Sequence, residues 1–125
     1  MEHRDLTEEI IGCAYSVYNK MGFGFLESVY EKCMLIELYK AGLKAESQKH
    51  LTVCYENEIV GEFIADIIVN DTVILELKFV RQIIKVHEIQ LVNYLVATGK
   101  PVGLILNFCE NKMEVKRKIK DLDKR

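Results

Sequence analysis

Residues 63–80 of the 125-residue chain read FIADIIVNDTVILELKFV, and this stretch decides the fold. Two apolar segments flank the polar residues Asn70 and Asp71, which favour a turn. The pattern therefore predicts two buried antiparallel strands over residues 59–69 and 72–80, joined by a short loop.

Three charged side chains interrupt the apolar segments: Asp66 in the first strand, and Glu76 and Lys78 in the second. Side chains alternate between the two faces of a strand, so Glu76 and Lys78 share one face. Ionised groups are costly to bury unless they are paired or bind a metal. For Glu76 and Lys78 alone, a cross-strand ion pair at a sheet edge is the simpler explanation. Asp66 on the neighbouring strand points instead to a shared site.

The length of the loop decides whether Asp66 faces Glu76. A two-residue loop places Asp66 opposite Leu75, on the face away from Glu76, whereas a three-residue loop that includes Thr72 places it opposite Glu76. In the second register the two carboxylates converge, and a hard divalent cation such as Mg²⁺ favours such an oxygen pair together with waters. Lys78 could then orient or deprotonate an attacking water, or stabilise charge on a phosphate.

The rest of the chain predicts further helices and strands around this pair. Helical spacing covers residues 5–20, resumes from residue 26 to a stop at Gly42, and returns over residues 86–98. Strand patterns cover residues 49–55 and 102–108, and a short last strand or helix carries a basic C-terminal run. The order ααβββαβ, with this last element, predicts an α/β fold with a mixed sheet, because the third helix lets the strands on either side of it run parallel.

Composition predicts one domain over residues 1–125. Half of the residues are hydrophobic, which suffices for one core at this length. The N-terminus resembles neither a signal nor a transit peptide, and no apolar run approaches a membrane-spanning length, so we expect a cytoplasmic protein without membrane contact. The cysteines show no CxxC spacing, so we expect reduced thiols and neither a zinc nor an iron–sulfur site: Cys13, Cys33, Cys54 and Cys109.

The formal net charge of −2 argues against a protein that holds nucleic acid through bulk positive charge. Any polyanion would have to be held by a local patch. The candidate patch consists of basic residues near the C-terminus and after residue 80: Arg81, Lys85, Lys112, Lys116, Arg117, Lys118, Lys120, Lys124 and Arg125. A solvated tail is the alternative for the C-terminal part.

The charged strands resemble the D…ExK signature of the PD-(D/E)XK nuclease superfamily, with Asp66 on one strand and Glu76, Leu77 and Lys78 on the next. The resemblance implies a restriction-endonuclease-like core and hydrolysis of phosphodiester bonds in DNA, with RNA less favoured. It also implies Mg²⁺ or Mn²⁺ held by Asp66, Glu76 and the main-chain carbonyl of Leu77, with Lys78 assisting. Glu27 would approach from the second helix as a further ligand or through water.

Two further motifs narrow the resemblance, which extends over nearly the whole chain. Gln90 and Tyr94 stand four residues apart on one helix face and match the QxxxY element of the RecB-like and Cas4-like branches. Residues 24–30, GFLESVY, are similar to the motif that names the GxxExxY family, a small group in this superfamily. The cluster-binding cysteines of Cas4-like relatives have no counterpart here, so that cofactor is not implied.

The predicted third helix and the segment before it add candidates beyond the acids. Gln90 is a candidate for positioning water or phosphate. The candidates for substrate contact are His87, Tyr94, Arg81 and Lys85. For His87 an exposed helix histidine is the alternative, and for Tyr94 a core aromatic residue with a bonded hydroxyl.

Two hypotheses about function follow from these residues. The first is a nuclease that uses Mg²⁺ or Mn²⁺, which the complete set of D…ExK and QxxxY residues favours. The second is a binding or interaction protein, with a homodimer as one form, that keeps the fold and the site without useful turnover. The acidic balance and the lack of a separate substrate-binding domain favour the second, because a fold alone does not establish an activity.

Overall fold

A computed structural model describes residues 3–120 of the chain. Within these residues it has three helices and five strands: α1 (Arg4–Met21), α2 (Glu27–Lys40), β1 (Ala45–Tyr55), β2 (Glu58–Val69), β3 (Val73–Lys78), α3 (Lys85–Thr98), β4 (Val102–Phe108) and β5 (Met113–Ile119). The predicted order ααβββαβ is confirmed, and the last basic element is a strand. The predicted helix stop at Gly42 is also confirmed, since its φ of 80° is the left-handed value common after a helix.

The five strands form one mixed sheet in the order β1-β2-β3-β4-β5. β3 and β4 run parallel, and the other neighbouring pairs are antiparallel. Parallel neighbours need a long crossover connection, which α3 supplies. The mixed α/β sheet is therefore confirmed. β3 is the central strand, but its ladder with β2 ends at Leu75, so Glu76 and Lys78 pair only with β4.

Helices cover both faces of the sheet. α1 and α2 pack on one face, where Leu75 and Leu104 are fully buried. α3 packs on the other face, where Ile74 and Ile105 are buried. Burial of such a side chain contributes on the order of 2 kcal/mol. Since β4 is covered on both faces, its sequence is an almost continuous apolar run.

In the β1–β2 hairpin, the alternation of side chains between the two sheet faces reverses at Gln48 and Asp66. Regular alternation would place Ala65 and Ile67 on one face, yet Ala65 packs in the cluster under α3 and Ile67 in the cluster under α1 and α2. Gln48 has a φ of 51°, in the left-handed region that L-residues rarely adopt. The ladder of strand pairs is also interrupted between these two positions. Asp66 therefore lies where β2 departs from regular strand geometry.

Three cations of the basic C-terminal run, Lys116, Arg117 and Lys118, lie in β5, and Lys112 and Lys120 flank it. The cations of β5 are divided between the faces of the sheet. The Arg117 Nε donates a hydrogen bond to the Thr7 hydroxyl at 3.2 Å, on the side of α1. Lys118 forms an ion pair with Glu88 of α3 at 3.1 Å. Neighbouring residues of a strand point to opposite faces, so these cations do not form one patch. Lys124 and Arg125, predicted as part of the patch, lie outside the described residues.

No helix of the described chain is both long enough and apolar enough to cross a membrane. The four cysteines are free thiols: Cys13 and Cys109 are buried, Cys33 is half-buried and Cys54 is exposed.

Candidate active site

The loop between β2 and β3 has three residues, 70–72, and it selects the register that brings the acids together. The last pair of this antiparallel ladder is Ile67↔Leu75. Continued by one position beyond the ladder, this register would set Asp66 against Glu76, and the charge of Asp66 does act on Glu76. Of the two loop lengths that the sequence allows, the structure has the three-residue one.

A hydrogen bond ties Asp66 to the facing strand, because the Leu77 N–H donates to Asp66 Oδ2 at 2.8 Å. The Asp66 carboxylate here takes the place that a main-chain carbonyl has in a regular ladder. An ionised carboxylate has about four acceptor positions, so both groups keep lone pairs for a further partner.

Burial raises the pKa of both acids. For Glu76, burial and then the charge of Asp66 raise the pKa from its usual 4.5 to about 7, although the Lys78 charge and the Asp66 main chain lower it. The pKa of Asp66 is also raised, because burial outweighs the bond from Leu77 N–H and the Lys78 charge. Two neighbouring desolvated carboxyls repel each other when both are ionised, and a cation between them would remove that repulsion.

Lys78 lies beside the two acids without an ion pair. Its side chain is half-buried, and its charge lowers the pKa of both Asp66 and Glu76. No described carboxylate lies within the 4.0 Å of its ammonium group that an ion pair requires. The ion pair therefore does not explain these residues, because none is formed by Lys78 within the described residues.

The chemistry of the two acids suits a hard divalent cation. Carboxylate oxygens with spare lone pairs are the donors that Mg²⁺ and Mn²⁺ prefer, and Mg²⁺ commonly uses one or two carboxylates and keeps several waters. Among residues 3–120, no three or more His, Cys, Asp and Glu side chains are grouped so as to hold a metal. Glu27 is exposed in the first turn of α2 and is not part of such a group. Among the described residues, Asp66 and Glu76 are therefore the side chains whose chemistry suits a divalent cation.

A family model described as the PD-(D/E)XK nuclease superfamily matches residues 4–118. This chain belongs to the PD-(D/E)XK nuclease superfamily. The crystal structure of a protein named SSO0001 is similar, with a TM-score of 0.60 and 17% sequence identity over 97% of this chain. At that identity the likeness shows the fold alone, and the chain spans 61% of the length of that protein. No curated protein has a matching sequence.

In this member of the superfamily, α3 carries three predicted site residues with different surroundings. Gln90 is exposed, and its side chain bonds to no described residue. The Tyr94 ring is half-buried and stacks on Phe63, with centroids 3.9 Å apart and planes at 13°. The His87 Nδ1 accepts a hydrogen bond from the Ile84 N–H at 3.1 Å. Tyr94 thus contributes to packing, and His87 contributes to the start of the helix. The His87 Nε2 takes no part in the hydrogen bond with Ile84.

Arg81 and Lys85 follow β3, and both are exposed. Lys85 is the first residue of α3, whereas Arg81 lines a cavity of about 380 Å³ beyond the end of β3. Neither Asp66 nor Glu76 lines that cavity. The predicted set is therefore brought together only in part: the two acids meet beside Lys78, and Arg81 belongs to a neighbouring cavity.

A buried amide, which the sequence analysis missed, fixes the chain after Lys78. Asn107 is fully buried and pairs with Lys78 in the β3–β4 register. Its Oδ1 accepts from the Val80 N–H at 3.0 Å, and its Nδ2 donates to the Val80 carbonyl at 2.9 Å. The signal in the sequence is a single polar side chain within the apolar run 102–108.

Glu114 on β5 extends this contact to the start of α3. Its Oε1 accepts from the Ile83 N–H at 2.9 Å and from Asn107 Nδ2 at 3.1 Å. The bond from the Ile83 N–H is the main reason that the pKa of Glu114 is lowered. Together Asn107 and Glu114 hold both ends of the segment that joins Lys78 to the helix of Gln90.

The raised pKa of Glu76 predicts a pH dependence of the metal-free protein. A carboxyl with a higher pKa in the folded than in the unfolded chain binds more protons when folded, so the free energy of unfolding falls as pH rises between the two values. We expect a loss of at most about 3 kcal/mol between pH 4.5 and pH 7 from this group. Denaturant unfolding in EDTA at several pH values measures this loss in the free energy of unfolding.

The matched variants are Glu76→Gln, which should flatten this dependence, and Glu58→Gln on the exposed hairpin, which should leave it as in the parent. Equal pH slopes for the parent and Glu76→Gln would contradict the assignment.

Proposed function

We propose that this chain is a metal-dependent nuclease-like protein that hydrolyses phosphodiester bonds in DNA, with RNA a less favoured substrate. The observation that carries the proposal is the meeting of the Asp66 and Glu76 carboxylates beside Lys78, with the pKa of Glu76 raised to about 7. Membership in the nuclease superfamily supports the same conclusion. Strongly shifted groups of this kind are typical of functional sites.

In this proposal Asp66, Glu76 and the main-chain carbonyl of Leu77 hold Mg²⁺ or Mn²⁺, and Glu27 acts as a further ligand or through water. The ion, when bound, supplies charge stabilisation at the phosphate and lowers the pKa of a water. Lys78 holds or accepts a proton at the attacking water, or stabilises charge that develops on the phosphate oxygens.

The remaining candidates bind and orient the substrate. The exposed amide of Gln90 positions water or phosphate, which fits its lack of bonds within the described chain. The exposed cations Arg81 and Lys85 attract the phosphate backbone. The His87 Nε2 and the Tyr94 hydroxyl complete the set of substrate contacts.

We also propose that the chain belongs to the GxxExxY group and the RecB-like and Cas4-like branch. The contacts of the motif over residues 24–30 support this placement. The Tyr30 hydroxyl donates to the Gly22 carbonyl at 2.6 Å and accepts from the Phe25 N–H at 3.3 Å, so it fixes the turn just before Glu27. Gly24 in that turn has a φ of 108°, which favours glycine.

The proposed setting is a single domain over residues 1–125 in the cytoplasm, where a reducing environment keeps the four free cysteines as thiols.

The alternative function is a nuclease-fold binding or interaction protein without turnover, acting as a homodimer. Two observations favour it: the net charge of −2, and the exposed position of Glu27 outside any three-residue acidic group of the described chain. Superfamily folds serve many functions, so the alternative needs a direct test.

Incubation with labelled single-stranded, double-stranded and flap DNA, and with RNA, tests the proposal. We expect cleavage of at least one DNA substrate with Mn²⁺ and none in EDTA, because the two acids need the cation to act. Asp66→Asn is the matched inactive control, since its amide can still accept the bond from Leu77 N–H. A folded parent protein that cleaves none of these substrates with Mn²⁺ or Mg²⁺ would leave the binding protein as the better hypothesis.

A further inference from the structure

A cavity of about 380 Å³ opens beyond the end of β3, and its lining begins one residue after Lys78. Two aromatic rings, Phe23 and Phe79, contribute to this lining. Arg81 and Lys112 line it as well, together with Glu110. Aromatic rings and cations side by side are the groups that bind single-stranded nucleic acids.

The aromatic part of the lining has one fixed ring and one exposed ring. Phe79 is half-buried and stacks against the buried Phe108, with centroids 5.8 Å apart and planes at 17°. It also contacts Tyr30 at a centroid distance of 5.4 Å. Phe23, in contrast, is 52% exposed, so the hydrophobic core does not explain its place in the turn between α1 and α2. An exposed ring beside a cavity is available for stacking.

The two cations of the cavity keep their charges available. Neither Arg81 nor Lys112 has a described carboxylate within the 4.0 Å of an ion pair. Glu110 offsets one of the two charges, so the lining keeps a net positive charge. An anionic group such as a phosphate is the complementary ligand.

Hydrogen bonds from outside the cavity fix both of its walls. On one side, the buried Asn107 binds both main-chain groups of Val80. On the other, the Tyr18 hydroxyl donates to the Cys109 carbonyl at 2.6 Å and lies 3.1 Å from that of Glu110. A cavity held in this way loses little conformational entropy when it binds a ligand.

We propose that this cavity binds one unpaired nucleotide of a single-stranded nucleic acid segment, with the base stacked on Phe23 and the phosphate held by Arg81 and Lys112. The size is suitable, because ligand pockets span roughly 300–1,000 Å³, and a duplex does not enter such a space. The inference rests on the proposed nuclease function, since it names the substrate class for that site.

The position of β3 explains why the bound nucleic acid must be single-stranded. Leu77 and Phe79 both pack in the core under α1 and α2. Side chains alternate along β3, so Lys78 points to the opposite face from Leu77. A substrate that reaches both the proposed site and the cavity has to pass around the end of β3. A flexible single strand or flap can follow this path, whereas a stiff duplex cannot bend so sharply. Stacking on an aromatic ring also tolerates any base, so we expect little sequence preference.

Binding of a labelled oligothymidine in EDTA, measured by fluorescence anisotropy, tests the proposal without any requirement for cleavage. Phe23→Ala should weaken binding about tenfold, since each stacked base contributes about one to three kcal/mol by alanine substitution. Arg81→Ala and Lys112→Ala should each weaken binding, and the double variant should reduce the dependence of binding on salt concentration by about one phosphate contact. Phe23→Tyr, which keeps the ring, should bind as the parent does.

Matched controls are Tyr39→Ala, which removes a ring that is 82% exposed on α2, and Lys32→Ala, which removes an exposed cation of the same helix. Both should bind like the parent, and binding of duplex DNA should change little in Phe23→Ala. Oligothymidine binding that is undiminished in Phe23→Ala, or absent in the parent, would overturn the proposal that this cavity binds a nucleotide. Equal losses for duplex and single strands would overturn its preference for unpaired nucleotides.

These outcomes separate the two proposals. Cleavage by the parent together with unchanged binding in Phe23→Ala would refute the pocket and leave the nuclease. Loss of binding in Phe23→Ala without any cleavage by the parent would support the pocket and refute the nuclease.

Discussion

Lys78→Ala should slow DNA cleavage on the order of a hundredfold or more, while the affinities for Mn²⁺ and DNA stay close to those of the parent. Lys78 forms no ion pair within the described chain, so its removal takes away no such bond from the resting protein. A residue that acts mainly on the transition state lowers turnover and leaves ground-state binding nearly intact. Single-turnover cleavage rates and Mn²⁺ titrations measure the two quantities separately.

The pH of this experiment matters because Lys78 lowers the pKa of both acids. Without its charge the carboxyls hold their protons to a higher pH, and protons compete with the cation. The comparison therefore belongs at a pH well above 7, where the acids are ionised in the parent and the variant. Lys32→Ala on α2 is the control for the loss of an exposed lysine.

The binding-protein hypothesis predicts a different result for the same variant. There, Lys78 would serve only as the partner of Glu76, and its removal would lower the free energy of unfolding by a few kcal/mol. A parent that cleaves nothing, combined with a strongly destabilised Lys78→Ala, would favour that hypothesis. The missing ion pair leads us to expect only a small change in stability.

The sequence narrows the pairing of Asp66 with β3 to two registers, but it does not decide between them. Asn70 and Asp71 both have a φ of 53°, a left-handed value that these residue types tolerate, so the turn itself was predictable. The choice of a three-residue loop involves the Thr72 N–H, which donates to the Val69 carbonyl at 2.9 Å. It also involves the distant Lys44, whose N–H donates to Asn70 Oδ1 at 2.9 Å. A local pattern contains no information about that second contact.

The start of β1 shows a second limit of the sequence pattern. Alternation predicts a strand from residue 49, whereas β1 begins at Ala45. The left-handed φ of Gln48 reverses the alternation within the strand, so the part before it has the opposite pattern. The same reversal on β2 falls at Asp66, where the sequence shows only a charged residue among apolar ones.

The residues around the cavity were missed because their contacts are distant in sequence. Asn107 binds Val80, 27 positions away, and Glu114 binds Ile83, 31 positions away. Tyr18 reaches Cys109 across 91 positions. Periodicity reports which face of an element is buried, but it does not report which loop a buried polar group will hold. A polar residue inside an apolar strand is the available signal, and Asn107 carries it.

Mn²⁺ at about a hundred times its dissociation constant should stabilise the parent by about 3 kcal/mol, which raises the melting temperature by roughly 10 °C. Asp66→Asn and Glu76→Gln should each lose most of this rise, because each removes one of the two carboxylates that hold the cation. Asparagine is preferable to alanine at residue 66, since alanine would leave the Leu77 N–H without its acceptor and destabilise the protein for an unrelated reason.

The melting temperatures of the metal-free variants provide a second test of the same two acids. At a pH well above 7 the parent carries two ionised carboxylates whose charges act on each other, and Glu76→Gln removes their repulsion. Its melting temperature in EDTA should therefore equal or exceed that of the parent, even though its response to Mn²⁺ is lost. Glu62→Gln, on the exposed hairpin, should keep the full response. A metal response that survives in both Asp66→Asn and Glu76→Gln would exclude these acids as the ligands, because a cation held elsewhere would not depend on either carboxylate.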